Sequence, residues 1–299
     1  MTTLNRVTVA TTTSTSIANI EAAAARLASM QNQLSSGQAI TTPSDNPSGT
    51  VQAMQLRGQL SRNTQYGSNA SDALSWLGAQ DSAYSQIVSV LQNARTLVVQ
   101  GLNSGTADAS SNAALAQQLS GLRTTLISLA NTAYGGRPVF GGTTASPTAY
   151  DSSGSYLGDG GAVTRAIGPG STVTVGANGP DVFGDDSSGT SVFTLLQNLS
   201  AALTSNPPAL SGSALGQLDS ALSRVSTAQS VEGATYQQVQ RAQTTQTSLG
   251  TSLQTQLTGI EDVDVADMAV KVAAANTSYQ AALQTTASIG QLSLLNFLH

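Results

Sequence analysis

Residues 268–289, MAVKVAAANTSYQAALQTTASI, decide how this chain folds. Positions 268, 272, 275, 279, 282, 286 and 289 step by four and three, and they carry Met268, Val272, Ala275, Tyr279, Ala282, Thr286 and Ile289. Such a 3.5-residue repeat builds a narrow seam for one partner helix, whereas a globular core asks for a broader face. The same rhythm stands near the other end, in Ile17, Ile20, Ala24, Leu27 and Leu34, with Gln31 in the one polar slot. Two seams at opposite ends predict that the terminal segments pair with each other and fold the chain back on itself. That is the plan of an assembly subunit.

Composition points the same way. Charged residues are 9 % of the chain, against about 25 % in an ordinary soluble domain, and Lys271 is the only lysine. Helix faces that would normally carry charge are written in Ser, Thr, Gln, Asn and Ala. Such faces let neighbouring copies approach without stripping water from ions. A low-charge protein adapted to an unusual medium is the plainer reading, but the low charge coincides with the heptads. The net charge of −5 and the 4 % of aromatic residues argue against nucleic acid as a partner, since phosphate contacts need basic patches and bases need stacking platforms.

Between the seams the pattern gives a first helix at about 14–36, closed by Ser35-Ser36-Gly37. The turn that follows holds Pro43, Asp45, Asn46 and Pro47, with Asn46 as N-cap and Pro47 at the first helical position of the next rod. That rod runs to about Gly101 with Leu77, Tyr84, Leu91 and Val98 seven residues apart, and Gly58 and Gly67 are points where it could bend. A third helix from about 111 carries Leu115, Leu119, Leu122, Leu126, Leu129 and Ala133, and Gly135-Gly136 are read as its stop. From 137 to 190, Gly, Ser, Asp and Pro surround short β-prone runs at 137–140, 162–167 and 172–175, which predicts a small β domain leaning on the helices. Helix returns at Val192, breaks at Pro207-Pro208 and resumes near 213. Its seam, Leu215, Leu218, Leu222 and Val225, continues in register into Gln229, Glu232, Gln243 and Gln246. Either those polar groups are buried to fix register or the helix turns a new face inward.

The expected fold is therefore mainly α with a small β domain: a long antiparallel helical bundle whose terminal helices pair as a coiled coil. The expected divisions are 1–42, an N-terminal coiled-coil helix; 43–136, the first part of the bundle; 137–190, the β-rich part; 191–260, the second part of the bundle; and 261–299, the C-terminal coiled-coil helix.

Residue types exclude most chemistry. There is no cysteine, and the only histidine is His299, so no Ser-His-Asp triad, Cys-His pair or zinc set can be assembled. Asp151, Asp159, Asp181, Asp185 and Asp186 lack the spacing of a calcium loop and read as turn formers. Glu261, Asp262, Asp264 and Asp267 sit where a helix begins, so Asp264 as N-cap with Asp267 three residues on is the economical account. No enzyme activity, cofactor or metal is expected. The first sixteen residues lack the apolar core of a cleavable signal, and no stretch reaches membrane length. Export would use a dedicated machine that reads an uncleaved, disordered N-terminus.

These residues together resemble the flagellin superfamily. Gln33-Leu34-Ser35-Ser36-Gly37 through Pro43-Ser44-Asp45-Asn46-Pro47 is similar to that family's turn between its end helix and its bundle. Gly135 through Gly142 is similar to its entry into the β domain, and Asp262 through Asp267, Tyr279 through Gln284 and Ser293 through Leu298 are similar to its ending. A basic, Gly-containing turn of the family stands here as Gln229-Ser230-Val231-Glu232-Gly233. Within the superfamily the likeness is to members that lie between hook and filament. It implies a structural, secreted subunit of the bacterial flagellum, forming a junction layer on which flagellin assembles. The filament subunit itself is the alternative, and a secreted adhesin or type III translocator a more distant one. The resemblance implies as partners copies of the chain in a ring or helical layer, a hook-associated neighbour, flagellin, and an export chaperone at the C-terminal helix, with no nucleic acid and no membrane insertion. The residues expected to carry assembly are Ile17, Ile20, Leu27, Leu34, Met268, Val272, Tyr279, Leu283, Ile289, Leu292 and Leu295, with Pro43, Asp45, Asn46 and Pro47 at the turn.

Overall fold

Two long rods carry the heptads. The computed structural model describes residues 9–103, 109–205 and 212–297. Its helices are α1 (Val9–Ser36), α2 (Pro47–Asn103), α3 (Ala109–Ala130), α4 (Gly179–Phe183), α5 (Val192–Ser205), α6 (Gly212–Glu261) and α7 (Val265–Phe297). The strands are β1 (Ala133–Tyr134), β2 (Arg137–Pro138), β3 (Thr164–Gly168) and β4 (Ser171–Thr174). The chain divides into two compact units, residues 1–61 with 251–299, and residues 62–250. No described helix is long and apolar enough to cross a membrane.

In the 62–250 unit, α2 buries Asn63, Ala70, Leu77, Tyr84, Leu91 and Val98, one residue every seven. Helix α6 answers with Leu218, Val225, Glu232, Val239 and Gln246 at the same interval. The question of the polar seam is thereby decided. The helix keeps its face, and Glu232 and Gln246 are buried in register. Gln246 is held at two points: its side-chain Nε2 donates to the Ile167 carbonyl (3.0 Å), and its backbone carbonyl accepts from Asn63 Nδ2 (2.8 Å). A buried amide that specifies register in this way costs stability relative to leucine and excludes slipped pairings. Gly58 and Gly67 do not interrupt α2, because a rod packed along one side tolerates the ~1 kcal/mol that an interior glycine costs.

Three expectations are corrected. The first helix begins at Val9, five residues before the expected start, and the expected disordered N-terminal export segment otherwise falls on residues outside the described ones. The third helix ends at Ala130, so Ala133 is a strand residue. Asn131 leaves the helix to bond both backbone groups of Tyr150 at 2.8 Å, which fixes the chain's departure. Gly135 (φ 57°) and Gly136 (φ 80°) then form the two-residue turn of the β1–β2 hairpin, where both central residues need positive φ. Pro207-Pro208 lie outside the described residues, between the end of α5 and the start of α6.

The β segment is thin: β1–β2 and β3–β4 are separate two-stranded antiparallel pairs. Its order comes from aromatic packing. Phe140, Phe183 and Phe193, three of the four phenylalanines in the chain, meet Tyr84 of α2 and Tyr150 in one cluster with ring centroids 4.8–5.4 Å apart. Gly154 (φ 87°) lies against it so closely that an added Cβ would stand 2.7 Å from the Phe193 Cβ. Strand β3 is tied to α2 by Arg165, whose Nε donates to Asp72 at 2.7 Å while its guanidinium lies 5.7 Å from the centre of the Trp76 ring. The segment from 137 to 190 thus shares its core with α2 and α5 inside one unit, as its low apolar content predicted.

Candidate functional site

In the 1–61/251–299 unit, α1 packs along α7. On α7, Met268, Val272, Ala275, Tyr279, Ala282 and Thr286 are half-buried and the residues between them are exposed. Helix α1 presents Ile20, Ala24, Leu27, Met30 and Leu34 half-buried. Gln31 is exposed, so Met30 takes the slot assigned to it, and the seam is apolar there. Ile17 is 48 % and Leu283 41 % exposed, both off the buried line. The side chains of Ile289, Leu292 and Leu295 lie outside the described ones. Val51, Met54, Val265 and Val270 add further exposed apolar side chains to this unit. A seam that is only half-buried, flanked by apolar residues open to solvent, is a surface with room for more helices.

The turns at the two ends of the chain hold each other. Gly37 (φ 72°) ends α1, its amide donating to the Gln33 carbonyl at 2.9 Å. The following residues then pair with the α6–α7 junction. The Ala39 amide donates to the Glu261 carbonyl (2.6 Å), the Val263 amide donates to the Gly37 carbonyl (3.0 Å), and Gln38 bridges Asp262. Arg57 of α2 reaches the Glu261 carboxylate at 2.9 Å. So the two reversals are one structure. Their relative position is set by these backbone hydrogen bonds together with the Arg57–Glu261 ion pair.

Within this structure the four residues expected at the turn divide the work. Asn46 Oδ1 accepts from the Gly49 amide at 2.9 Å, capping α2, with Pro47 following as the first helical residue. Asp45 Oδ2 accepts from the Thr42 amide (2.7 Å), the Thr41 amide (3.0 Å) and Thr41 Oγ1 (2.8 Å). These donors, the Thr42 amide first, hold its carboxyl down to about 2. Pro43 lies in the exposed part of the turn. Gly49 was missed by sequence reading. A Cβ there would stand 2.5 Å from Asn46 Nδ2 and 2.9 Å from Ile40 Cδ1. The signal was available, a glycine three residues after the cap. For the Arg57–Glu261 pair there was none, since the partners are 204 residues apart. At the start of α7, Asp264 Oδ1 accepts from the amides of Ala266 (2.9 Å) and Asp267 (3.2 Å), and Asp267 pairs with Lys271 at 2.6 Å. The acidic cluster is a cap.

Two expected results arise here. Asn46→Ala removes the cap and lowers the local stability of the turn by about 1 kcal/mol. Hydrogen exchange at Ser48, Gly49 and Thr50 reports it, and unchanged protection there overturns the assignment. The Asp45 carboxyl ionises more readily in the folded turn than its ordinary value of 3.8, so what it contributes is present above pH about 4 and lost as pH falls through about 2. Protection of the Thr41 and Thr42 amides falls in that window in the native chain and is already absent in Asp45→Ala.

The loop aspartates are occupied by turns. Asp151 Oδ1 accepts from the amides of Ser153 and Ser155, both at 2.8 Å, and Asp159 Oδ1 from the Thr143 amide at 2.6 Å. These bonds hold both carboxyls below their ordinary range, the Ser153 and Thr143 hydroxyls contributing most. Among the described residues no group of three or more His, Cys, Asp or Glu is placed to hold a metal ion.

Comparison with known proteins fits this geometry. Residues 5–145 match the bacterial flagellin N-terminal helical region, and residues 215–298 the bacterial flagellin C-terminal helical region. The chain belongs to the bacterial flagellin family. Over 153 residues it is 32 % identical to flagellar hook-associated protein 3 of Salmonella typhimurium, a match that takes in 50 % of this chain and 48 % of that one. The chain therefore spans about half the length of that relative. Among solved structures it resembles FlgL of Bacillus cereus, with TM-score 0.59 and 20 % identity over 68 % of this chain and 99 % of the other. It also resembles the flagellar junction protein FlgL of Legionella pneumophila, with TM-score 0.56 and 16 % identity over 70 % and 100 %. At these identities the structures speak for the fold, a flagellin-like helical bundle with a small β segment.

Proposed function

We propose that this chain is a structural subunit of the bacterial flagellum, secreted through the flagellar exporter, that forms the junction layer between hook and filament on which flagellin assembles. The observation that carries the proposal is the half-buried α1–α7 pair, whose two helices expose Ile17, Val265, Val270 and Leu283. In a flagellin-family chain that resembles flagellar hook-associated protein 3, this is surface left for neighbouring copies. The divisions 1–42, 43–136, 137–190, 191–260 and 261–299 follow from the same reading, with the first and last lining the inside of the layer and the β-rich part facing outward. Identical head-to-tail contacts that do not close generate a helical stack. A hook-associated neighbour lies on one side, flagellin on the other, and before export a chaperone covers the α7 stripe, including Ile289, Leu292 and Leu295. The work is mechanical and requires no reaction. The low charge suits it, because faces of Ser, Thr, Gln and Ala pack against copies without desolvating ions.

The test is deletion of the coding region in the source bacterium. Hooks without filaments, with flagellin released to the medium, are the expected phenotype, restored by the full chain in trans. Hooks that still carry filaments overturn the junction reading. Retained filament attachment points with no flagellin in the medium would mark the chain as the filament subunit instead.

A further inference from the structure

The 62–250 unit contains a pocket of about 530 Å³ that the assembly role does not use. Its walls come from α2 (Leu77, Gln80, Tyr84), from the chain between β4 and α4, and from α6 (Arg224, Ala228, Glu232). Apolar side chains make most of the surface. The polar exceptions are unusual in what they lack. Glu232 is 6 % and Gln80 2 % exposed, yet Glu232 Oε2 and Gln80 Oε1 are buried with no hydrogen-bond partner. Gln80 spends its Nε2 on the Tyr84 hydroxyl at 2.9 Å, which leaves its carbonyl oxygen idle. Arg224 donates through Nη2 to the Thr190 carbonyl, while its buried Nε–H is also unpartnered.

A buried polar atom left unpaired costs about 1–3 kcal/mol, so three around one pocket mark the points at which a bound molecule would be held. The three differ in kind and place. Glu232 and Gln80 offer acceptors. Arg224, two turns earlier on α6 and about 12 Å away by helix rise, offers a donor. A ligand that satisfies all three carries donors at one end, an acceptor at the other and an aliphatic stretch between them. The charge at Glu232's end favours a cation: Asp81 acts on Glu232 from α2 beside the neutral Tyr84, Asp181 of α4 lines the same pocket, and Arg224 stands at the other end. We propose that this pocket binds a small zwitterion, its guanidinium or ammonium group against Glu232 and Gln80 and its carboxylate toward Arg224, with the connecting methylenes along Leu77 and Ala228.

The unliganded pocket keeps Glu232 protonated. Burial, with Asp81 adding to it, pushes the carboxyl up to about 8. A cation placed beside it draws the proton off, so binding at pH 7 releases protons and strengthens as pH rises toward 8. 4-Guanidinobutyrate is the probe, titrated calorimetrically into the full-length protein in two buffers of different ionisation enthalpy. Saturable binding with release of close to one proton at pH 7 is expected. Glu232→Gln keeps the shape and is expected to weaken binding at least about tenfold and abolish the proton release. Arg224→Gln is expected to weaken 4-guanidinobutyrate but leave n-butylguanidinium, which lacks the carboxylate, unchanged. Ala228→Phe, which fills the pocket, should block both ligands, and its unfolding transition shows whether the fold is intact. Absence of saturable binding overturns the proposal, as does binding that Glu232→Gln leaves unaltered or equal binding of butyrate, which lacks the cation. None of these readouts depends on the junction reading.

Discussion

Phe193→Ala is expected to lower the stability of the 62–250 unit by about 3–5 kcal/mol, the usual cost of removing a fully buried aromatic ring. Phe193 is 1 % exposed and lies 4.8 Å from Tyr150 and 5.3 Å from Phe183, centroid to centroid. It is also the surface on which Gly154 closes. Tyr150 and Phe183, which also pack on each other with centroids 5.4 Å apart, hold one another in place, so the void is not filled by one neighbour moving in. The β segment should suffer more than the helices, because Phe140, Tyr150 and Phe183, which belong to this cluster, all lie between 137 and 190, whereas α2 and α6 still meet along their heptads. Denaturant unfolding of the full chain gives the magnitude. Hydrogen exchange gives the distribution, with early loss of protection at Val139, Ile167 and Val175 and retained protection along α2. A loss below 1 kcal/mol, or uniform loss across the unit, would show that the cluster does not organise the β segment.

The contrast between that cluster and the rods explains what could be read in the sequence. A heptad is local: Leu77, Tyr84, Leu91 and Val98 announce their common face within one stretch, and the face is buried as read. The Asn46 cap and the Asp264 cap are local too, each complete within four residues. Where a partner lies far away in the chain, the pattern alone was not decisive. Gln246 is buried because Ile167 and Asn63 accept and supply its hydrogen bonds, and neither is visible from α6. Asn131 ends α3 because Tyr150 waits 19 residues on. The Gly135-Gly136 pair signals a stop of some kind, and a hairpin turn and a helix end use the same residue for the same positive φ. Along the α1–α7 seam the rhythm of α7 was legible, but Gln31 against Met30 was not. Both positions suit a seam that alternates three and four, and only the partner helix chooses between them.

The same seam supplies the other large effect. A chain carrying Leu27→Asp and Tyr279→Asp is expected to lose filament attachment entirely while its 62–250 unit stays folded. Both side chains are half-buried on the seam in which α1 packs along α7. Each substitution places a carboxylate on the half-buried line of the seam, where Lys271 of α7 is engaged with Asp267 and Arg26 of α1 stands exposed beside Leu27 rather than on that line. The cost of two such charges in a low-charge seam is at least about 2 kcal/mol. That is large against the stability of two helices joined by one half-buried stripe. The Gly37–Val263 and Ala39–Glu261 hydrogen bonds lie outside the seam, so the turns remain paired and the failure is confined to the rods beyond them. Leu27→Ala with Tyr279→Phe is the control, changing volume without charge, and it should support attachment at reduced efficiency. Exchange protection is expected to fall across α1 and α7 and to hold at Leu77, Tyr84 and Val239. A double aspartate chain that still anchors filaments would mean that the layer is built on some surface other than this seam.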